Sequence, residues 1–373
     1  PLMLIGNAIE GRIVGKREFR RAVEEFRSDL AGMVTDVKEA QAEEVRSRLE
    51  EHPSTPDCVA AVQRRSDLLW SRRPDLPAFG ELRLGIGRRD SRSTIKLPNS
   101  SRVPRELTME VESTAKSLRQ IEGVPIVGSL AAGALGVAGP RVASLGEARA
   151  LILQALALHA PSEMALAALL GPESGADWDF LKWTPHATPP QSPLTARPLV
   201  STPDGASSLL ADLENLIDSR GNSDDDSLPR VLLLIESDAP AVHSRLVNVA
   251  ERGPASGVSV LWIAPDRSLL PAACKTFVDA EPLANDSHVG YVIEGESVAP
   301  VLLESLDAAT ASSLARALSP VEDAGARSMD DSDLPRTISQ FAAMKDTTLG
   351  SRADSILERW QETGSILTGA YAP

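Results

Sequence analysis

The sequence predicts an α/β protein, with a helical stalk hairpin followed by a domain built on a mostly parallel sheet. Three observations carry this reading. An unbroken a/d pattern of apolar residues runs through the first fifty positions. Short apolar runs bounded by turn residues recur between Gly133 and Pro265. Between the first two of those runs lies a segment of helical length, and strand, helix, strand is the unit from which parallel sheets are built.

From Lys16 onward, Phe19, Val23, Phe26, Leu30, Met33, Val37 and Ala40 alternate spacings of four and three. That is an a/d seam, with Glu24, Glu25, Arg27 and Asp29 on the other faces. The helix extends through Val45 and Leu49 and stops before Pro53, which cannot continue it. At roughly 35 residues it reaches about 50 Å. It reads as a stalk whose seam wants a partner; the alternative is a hairpin covering its own core. Thr55-Pro56-Asp57 restarts a second helix that runs to Arg73, and the short link at His52–Ser54 predicts an antiparallel pair over 16–78.

FGELRLGIGRRDSRSTIKLP (Phe79–Pro98) alternates Leu82, Leu84 and Ile86 with polar or small neighbours. It predicts a strand, a turn near Arg88–Ser91 and a short return strand, together a small β connection over 79–106. The α/β domain is expected over 107–321. It begins with an amphipathic helix near Arg105–Gln120 and a strand near Val124–Leu130. GALGVAG (Gly133–Gly139) is a buried strand, Ser144–Ala160 a helix with Ser144 as its N-cap, and Met164–Gly171 the next strand. VLLLIESD (Val231–Asp238) and GVSVLWIAP (Gly257–Pro265) are further buried strands. Lys275–Ala280 and His288–Gly295 are shorter ones, and Ser305–Pro320 is a closing helix. His186–Pro198 and the acidic Ser219–Pro229 read as loops. Residues 322–373 read as a linker, with a helical piece near Arg352–Thr363. No internal repeat is present.

The chemistry concentrates at two strand ends. A phosphate loop reads G-x-x-x-x-G-K-[ST], whose glycines let backbone N–H groups wrap the phosphates while Lys reaches the terminal ones. GPRVASLGEA (Gly139–Ala148) has the glycine and the serine, but no Lys stands beside Ser144 or Gly146. Arg141 is the only nearby cation. Gly139, Arg141 and Ser144 are thus the candidate nucleotide contacts for ATP, and weak or absent hydrolysis is expected. In phosphate-handling folds the strand ending in an acid presents its carboxylate to Mg²⁺, which makes Glu236 and Asp238 the candidate catalytic acids. Three readings stay open: nucleotide held at a helix N-terminus, an atypical Mg-ATPase, and a loop that only turns the chain.

Composition narrows the partners. The 373 residues carry 38 Lys+Arg against 52 Asp+Glu, a net charge of −14, so nucleic acid is a poor partner. The basic exception is Gly11–Arg21, with Arg12, Lys16, Arg17, Arg20 and Arg21 against Glu18. It follows the apolar stub PLMLIGNAI, and that order reads as the cytoplasmic end of a membrane helix over 1–15. The stub alone is shorter than the ~20 residues a span needs, and a frayed terminus is the alternative. Cys58 and Cys274 form no disulfide or metal pattern, which implies a reducing compartment and no metal site. His159 and His186 have no nucleophile beside them and read as core histidines. Trp178 and Trp183 read as anchors of their block.

Three linked blocks resemble one family. Trp70, Arg72, Arg73, Pro74, Phe79, Arg83, Gly85 and Gly87 stand in the order found in the FtsK/SpoIIIE-type ATPase of type VII (ESX) secretion, the EccC component. LGVAGPR (Leu135–Arg141) with QALALHAPSEMALAAL (Gln154–Leu169), and WDFLKWTPH (Trp178–His186), continue the resemblance across nearly the whole chain. In the last block Phe180 stands for a family Trp and Thr184 for Leu. The resemblance implies a P-loop-NTPase-like (RecA/FtsK-like) fold. It also implies that the chain is the stalk and first, degenerate ATPase-like domain of a membrane-anchored export motor. Its implied partners are the EccD ubiquitin-like domain, EccB and EccE, the downstream ATPase domains and secreted proteins, in an oligomer on the cytoplasmic side of the bacterial inner membrane. Glu236 falls at the Walker-B acid position, where the family usually has Asp. An unrelated soluble α/β binding protein is the remaining alternative.

Overall fold

The structure, a computed structural model, describes residues 16–95, 104–189, 191–221, 229–281, 287–323 and 357. Contacts group the chain into Pro1–Gly325 and Ala326–Pro373. The membrane-proximal reading of 1–15, the acidic run at 222–228, the linker at 324–373 with its helix, and the end of the return strand lie outside the described residues, Leu357 apart.

The first helix, α1 (Lys16–Glu51), follows its a/d pattern for 36 residues, about 54 Å. Its seam is most deeply covered around Phe26, while Val37, Val45 and Leu49 are half-buried. Phe26 is buried, with Val23 and Leu30 half-buried beside it. What covers them is Leu107 and Val111 of α3 (Arg105–Ser117), a helix of this same chain. Phe19 and Met33 stay exposed. Toward its C-terminus α1 also has polar ties. Gln41 donates to the Leu118 carbonyl (2.6 Å), Arg48 to the Asp90 carbonyl (2.9 Å), and Glu44 accepts from Ser91 Oγ (2.6 Å). Phe26→Asp is expected to cost about 3 kcal/mol or more locally. Hydrogen exchange should then speed up in α3 and the first half of α1 but not in the central sheet; unchanged exchange in α3 would refute this packing.

No helical hairpin forms. The second helix, α2 (Thr55–Arg64), starts as expected, with Ser54 and Asp57 closing a capping box. It ends at Arg64 rather than Arg73, because Arg65 turns left-handed (φ 50°). It packs on α4 (Arg141–Leu158) and α7 (Ala308–Leu318), not back along α1. The reason lies in the next segment, which satisfies the orphan carbonyls at the end of α4. Trp70 N donates to the Ala157 carbonyl (2.7 Å), Arg72 N to Leu158 (2.9 Å), and the Trp70 indole N–H to Leu156 (3.1 Å). Arg72 also donates to the Glu51 carbonyl at the end of α1 (2.7 Å). The Trp-x-Arg block is a strap joining the ends of two helices, which a continued helix would forfeit.

The expected turn at Arg88–Ser91 is absent. β1 (Glu81–Asp90) runs unbroken and pairs antiparallel with β2 (Gln120–Ser129), from Glu81 opposite Ser129 to Asp90 opposite Gln120. Its charged end stays in the strand because partners wait across it: Arg88 pairs with Glu122, and Asp90 with Arg119. The other edge of β1 meets β11 (Leu302–Leu303). That approach explains Gly85, where a Cβ would lie 2.3 Å from the Leu302 carbonyl oxygen.

The larger sheet holds β3 (Ala134–Ala138), β4 (Met164–Leu169), β5 (Leu199–Val200), β6 (Arg230–Glu236), β7 (Val258–Ala264), β8 (Cys274–Asp279), β9 (His288–Tyr291) and β10 (Glu296–Val298). Their order is β10-β9-β8-β3-β7-β6-β4-β5, parallel from β8 to β5 and antiparallel at β9 and β10. Uniformly apolar strands are what a sheet covered on both faces requires. Alternate residues enter two cores. Leu135, Leu166 and Leu234 pack under α4; Ala165, Leu233 and Trp262 pack under α5 (Pro203–Arg220) and α6 (His243–Arg252).

α4 is buried at every position from Ser144 to Leu158. It has the sheet on one side and α2, β1 and α7 on the other, so it is apolar all round rather than amphipathic. No helix among the described residues is long and apolar enough to cross a membrane.

Candidate functional site at the switch point of the sheet

In open α/β sheets, ligands bind beyond the carboxyl ends of the strands, where neighbouring strands send their connections to opposite faces. β3 leads into α4 on one face, whereas α5 and α6, which flank β6 in the chain, lie on the opposite face. At that point a cavity of about 370 Å³ is lined by Gly139, Arg141, Ser144, Glu236 and Asp238 among others. All five candidate residues therefore meet in one place.

Their geometry differs from a phosphate loop. Only Gly139 and Pro140 separate β3 from α4, whose first residue is Arg141. Pro140, not Ser144, is the N-cap; Ser144 sits a turn inside, buried, with its hydroxyl donating to the Arg141 carbonyl (3.2 Å). Gly139 has φ +130°, and a Cβ there would meet the Ala280 carbonyl oxygen at 2.1 Å. The glycine is thus needed for a tight crossing beside β8, and two residues are too few to wrap a chain of phosphates.

The acids are already engaged. Glu236, at the end of β6, is 1 % exposed. It accepts from Arg141 Nη1 (2.8 Å) and from the Trp178 indole N–H (2.5 Å). Arg141 Nη2 reaches Asp177 (2.7 Å), and Arg149 approaches the same carboxylate (3.4 Å). Burial works against the Arg141 guanidinium, but its hydrogen bonds to Glu236 and Asp177 outweigh that and hold its pKa above the ordinary value. Arg149 is pulled the other way, chiefly by burial. Asp238 accepts from Ser174 Oγ (2.7 Å) and from the Ser174 and Glu173 N–H groups (3.2 and 3.3 Å). It pins the turn that leads into the 3₁₀ helix Gly175–Trp183, which delivers Asp177 and Trp178.

Sequence reasoning missed Asp177 and Arg149. The Trp178 block pointed at the segment, but its neighbour's role appears only when β6 lies beneath it. Trp178 is fully buried, as an anchor should be, whereas Trp183 is 43 % exposed and has Lys182 and Arg316 over its ring.

Among the described residues no nucleophile pair accompanies this site. His159 accepts from Gly80 N at Nε2 (3.0 Å) and donates to the Ala155 carbonyl from Nδ1 (2.9 Å); His186 donates to the His159 carbonyl (2.8 Å). Burial pushes both imidazoles down to about 4, so they are neutral core residues. Cys58 and Cys274 are free and buried, each thiol pushed up to about 12 by burial, far from a reactive thiolate. Among the described residues no cluster of His, Cys, Asp or Glu has the makings of a metal site.

No family model matches the chain. It is 22% identical over 249 residues to the ESX secretion system protein EccC of Geobacillus thermodenitrificans (strain NG80-2), covering 64% of this chain and 17% of that protein. It is 24% identical over 201 residues to the ESX-4 protein EccC4 of Mycobacterium tuberculosis H37Rv, covering 52% and 16%. To the ESX-3 protein EccC3 of Mycobacterium tuberculosis CDC 1551 it is 32% identical over 171 residues, covering 42% and 12%. The chain thus spans less than a fifth of the curated relatives it matches. Among solved structures, EssC (ATPases 2 and 3) from Geobacillus thermodenitrificans aligns at TM-score 0.44 and 12% identity, over 68% of this chain and 50% of that one.

Proposed function

We propose that this chain, which is similar to EccC proteins of type VII (ESX) secretion, is a coupling module of that export motor. In this reading α1 is the stalk toward the membrane complex, on the cytoplasmic side of the inner membrane. The α/β domain keeps a motor-like fold in order to dock and to transmit movement to ATPase domains that follow in the full protein. Partners would be the other membrane-complex components, further copies of the chain and the exported proteins. The exposed Phe19 and Met33 leave part of the seam available for such a partner.

The observation that carries the reading is the guanidinium of Arg141, bridging Glu236 and Asp177 where a working site needs a lysine and an open carboxylate. The residues do not fit a Mg²⁺–nucleotide as they stand. The link between strand and helix is two residues long, Asp238 is spent on a turn, and Glu236 already has two donors. A second reading, an atypical Mg-ATPase, is favoured by the 370 Å³ cavity at the switch point.

Calorimetric titration of the 373-residue chain with Mg-ATP separates them. The coupling reading expects no saturable heat at millimolar ATP. Saturable binding that disappears in both Glu236→Gln and Arg141→Ala, with folding retained, would overturn the coupling reading, and phosphate release lost in Glu236→Gln would establish the second.

A further inference from the structure

Three parts of the chain that are far apart in sequence meet at the amino end of the large sheet. The first is the strap, where Arg72 holds the Glu51 carbonyl at the end of α1 (2.7 Å) and, through its own N–H, the Leu158 carbonyl at the end of α4 (2.9 Å). The second is the turn at 160–163 that leads into β4. It is closed by bonds from Glu163 N and Met164 N to the Ala160 carbonyl (2.9 Å each). The third is the segment that leaves α7, where Val321 N returns to the Leu318 carbonyl (2.9 Å) and Asp323 follows. Arg230 N donates to the Glu163 carbonyl (2.9 Å), which sets the turn at the first residue of β6. Glu236 is the last of that strand's 7 residues, so the switch point lies about 20 Å away.

Two contacts join the three parts. Arg73, the residue after Arg72, donates from Nη1 to Glu163 (2.8 Å). The Glu163 side chain is nearly buried, and its second carboxylate oxygen is buried without a hydrogen-bond partner among the described residues. A carboxylate in that position loses far more than an exposed one when its cation departs. Glu163 therefore fixes Arg73, although Arg73 itself is half exposed.

Asp323 meets the same turn at the neighbouring residue. Its carboxylate accepts from Ser162 Oγ and, at 3.4 Å, from Ser162 N. The hydrogen bond and charge of Glu163 hold the Arg73 guanidinium above its ordinary pKa against burial, and the charges of Asp323 and Asp75 add to that. Asp323 is thus attracted to Arg73 as well as bonded to Ser162.

Arg72 and Arg73 are neighbours in the chain, as are Ser162 and Glu163. From Glu51 to Asp323 every step is then one hydrogen bond or one peptide unit, and coupling is carried by such contiguous networks. From this geometry we propose that the 160–163 turn is a clamp coupling the end of α1 to the segment that leaves α7, at the opposite end of the sheet from the switch point. A change at Asp323 is felt at Arg72, and a change at Arg73 is felt beyond α7. As a route for movement it rests on the coupling reading above.

The test follows amide hydrogen exchange residue by residue in the full chain, without nucleotide. In Asp323→Ala the Trp70 and Arg72 amides, bonded to the Ala157 and Leu158 carbonyls, should exchange faster by about fivefold or more. The amides of β6 should keep their rates, which shows that the fold is retained. Arg73→Ala should act in the reverse direction and speed exchange at Val321 by a similar factor. Arg252→Ala, which breaks an exposed pair with Asp218 on another surface, should move neither. Should Asp323→Ala disturb β6, Ser162→Ala removes only the hydroxyl donor and is read by the same criteria. Strap amides that keep their wild-type rates overturn the proposal, as does a Val321 amide indifferent to Arg73→Ala. An equal acceleration in Arg252→Ala overturns it too, because the effect would then be a general loosening. Failure here removes the route and leaves the coupling reading itself to the Mg-ATP titration.

Discussion

Trp178→Ala is expected to destabilise the protein by about 3–5 kcal/mol, the range for emptying a fully packed tryptophan site. Trp178 is fully buried among residues that cannot easily collapse into the space: Phe180 at 5.9 Å between ring centroids and Arg149 with its guanidinium 5.8 Å from the ring. The same substitution removes the indole N–H from Glu236, leaving a carboxylate that is 1 % exposed with Arg141 as its remaining donor. Trp178→Phe separates the two losses. It keeps most of the ring and forfeits the hydrogen bond, for which about 1–3 kcal/mol is expected. Urea unfolding with unchanged m-value measures both. A cost below ~1 kcal/mol for the alanine variant would mean that the block does not anchor the site.

The second large effect concerns Glu147, one turn further along α4. Its side chain is 1 % exposed, and neither carboxylate oxygen has a hydrogen-bond partner among the described residues. Burial, with the charge of nearby Glu304 adding to it, pushes its pKa well above the ordinary carboxylate value. Glu304 is itself committed to Arg83 (2.7 Å) and to Thr55 N at the start of α2 (3.0 Å).

The sign of the pH effect follows. Below the ordinary value, near pH 4, Glu147 is protonated folded and unfolded alike and contributes no pH dependence. Above it the unfolded chain has released a proton that the native state still holds, so stability falls as pH rises, until the folded pKa is passed. The slope in that window is about 1.4 kcal/mol per pH unit. Glu44 and Glu51 are held below their ordinary values. Their contributions are present above those values and are lost only as pH falls through the folded ones. Subtracting wild type from Glu147→Gln cancels them. The variant's unfolding free energy should therefore gain on wild type by about 1.4 kcal/mol per pH unit between pH 5 and the folded pKa. Parallel curves would show that Glu147 is ionised, or solvated, in the native state.

The sequence made the α/β frame legible for a simple physical reason. β3, β4, β6 and β7 are covered on both faces, so their residues are almost uniformly apolar, and such runs stand out against polar connections. α1 was legible because its period persists for so long. The misreadings share a different cause, a partner distant in sequence that changes the local preference. Residues 65–73 have helical character, but the exposed carbonyls at the end of α4 recruit Trp70 and Arg72. Arg88-Arg89-Asp90 looks like a turn until Glu122 and Arg119 stand opposite.

The seam announced that Phe26 needed cover without saying that α3 would supply it. At the switch point, Gly139, Arg141, Ser144, Glu236 and Asp238 could be named from the strand pattern, and they do converge. That Arg141 spans to Asp177 could not, since nothing local links residues 141 and 177.

The strap that joins the end of α1 to the end of α4 makes the long helix mechanically legible as well. Arg72 holds the Glu51 carbonyl while its own N–H holds that of Leu158, so the two helix ends are tied through one residue. Length then acts as gearing. α1 extends about 54 Å from that tie with α3 packed along it, so the two helices tilt together, and a tilt of the pair by only about 5° would sweep the far end of α1 through roughly 5 Å. A displacement at the sheet too small to break a hydrogen bond would thereby arrive at the distal tip as a step about as large as one helical turn.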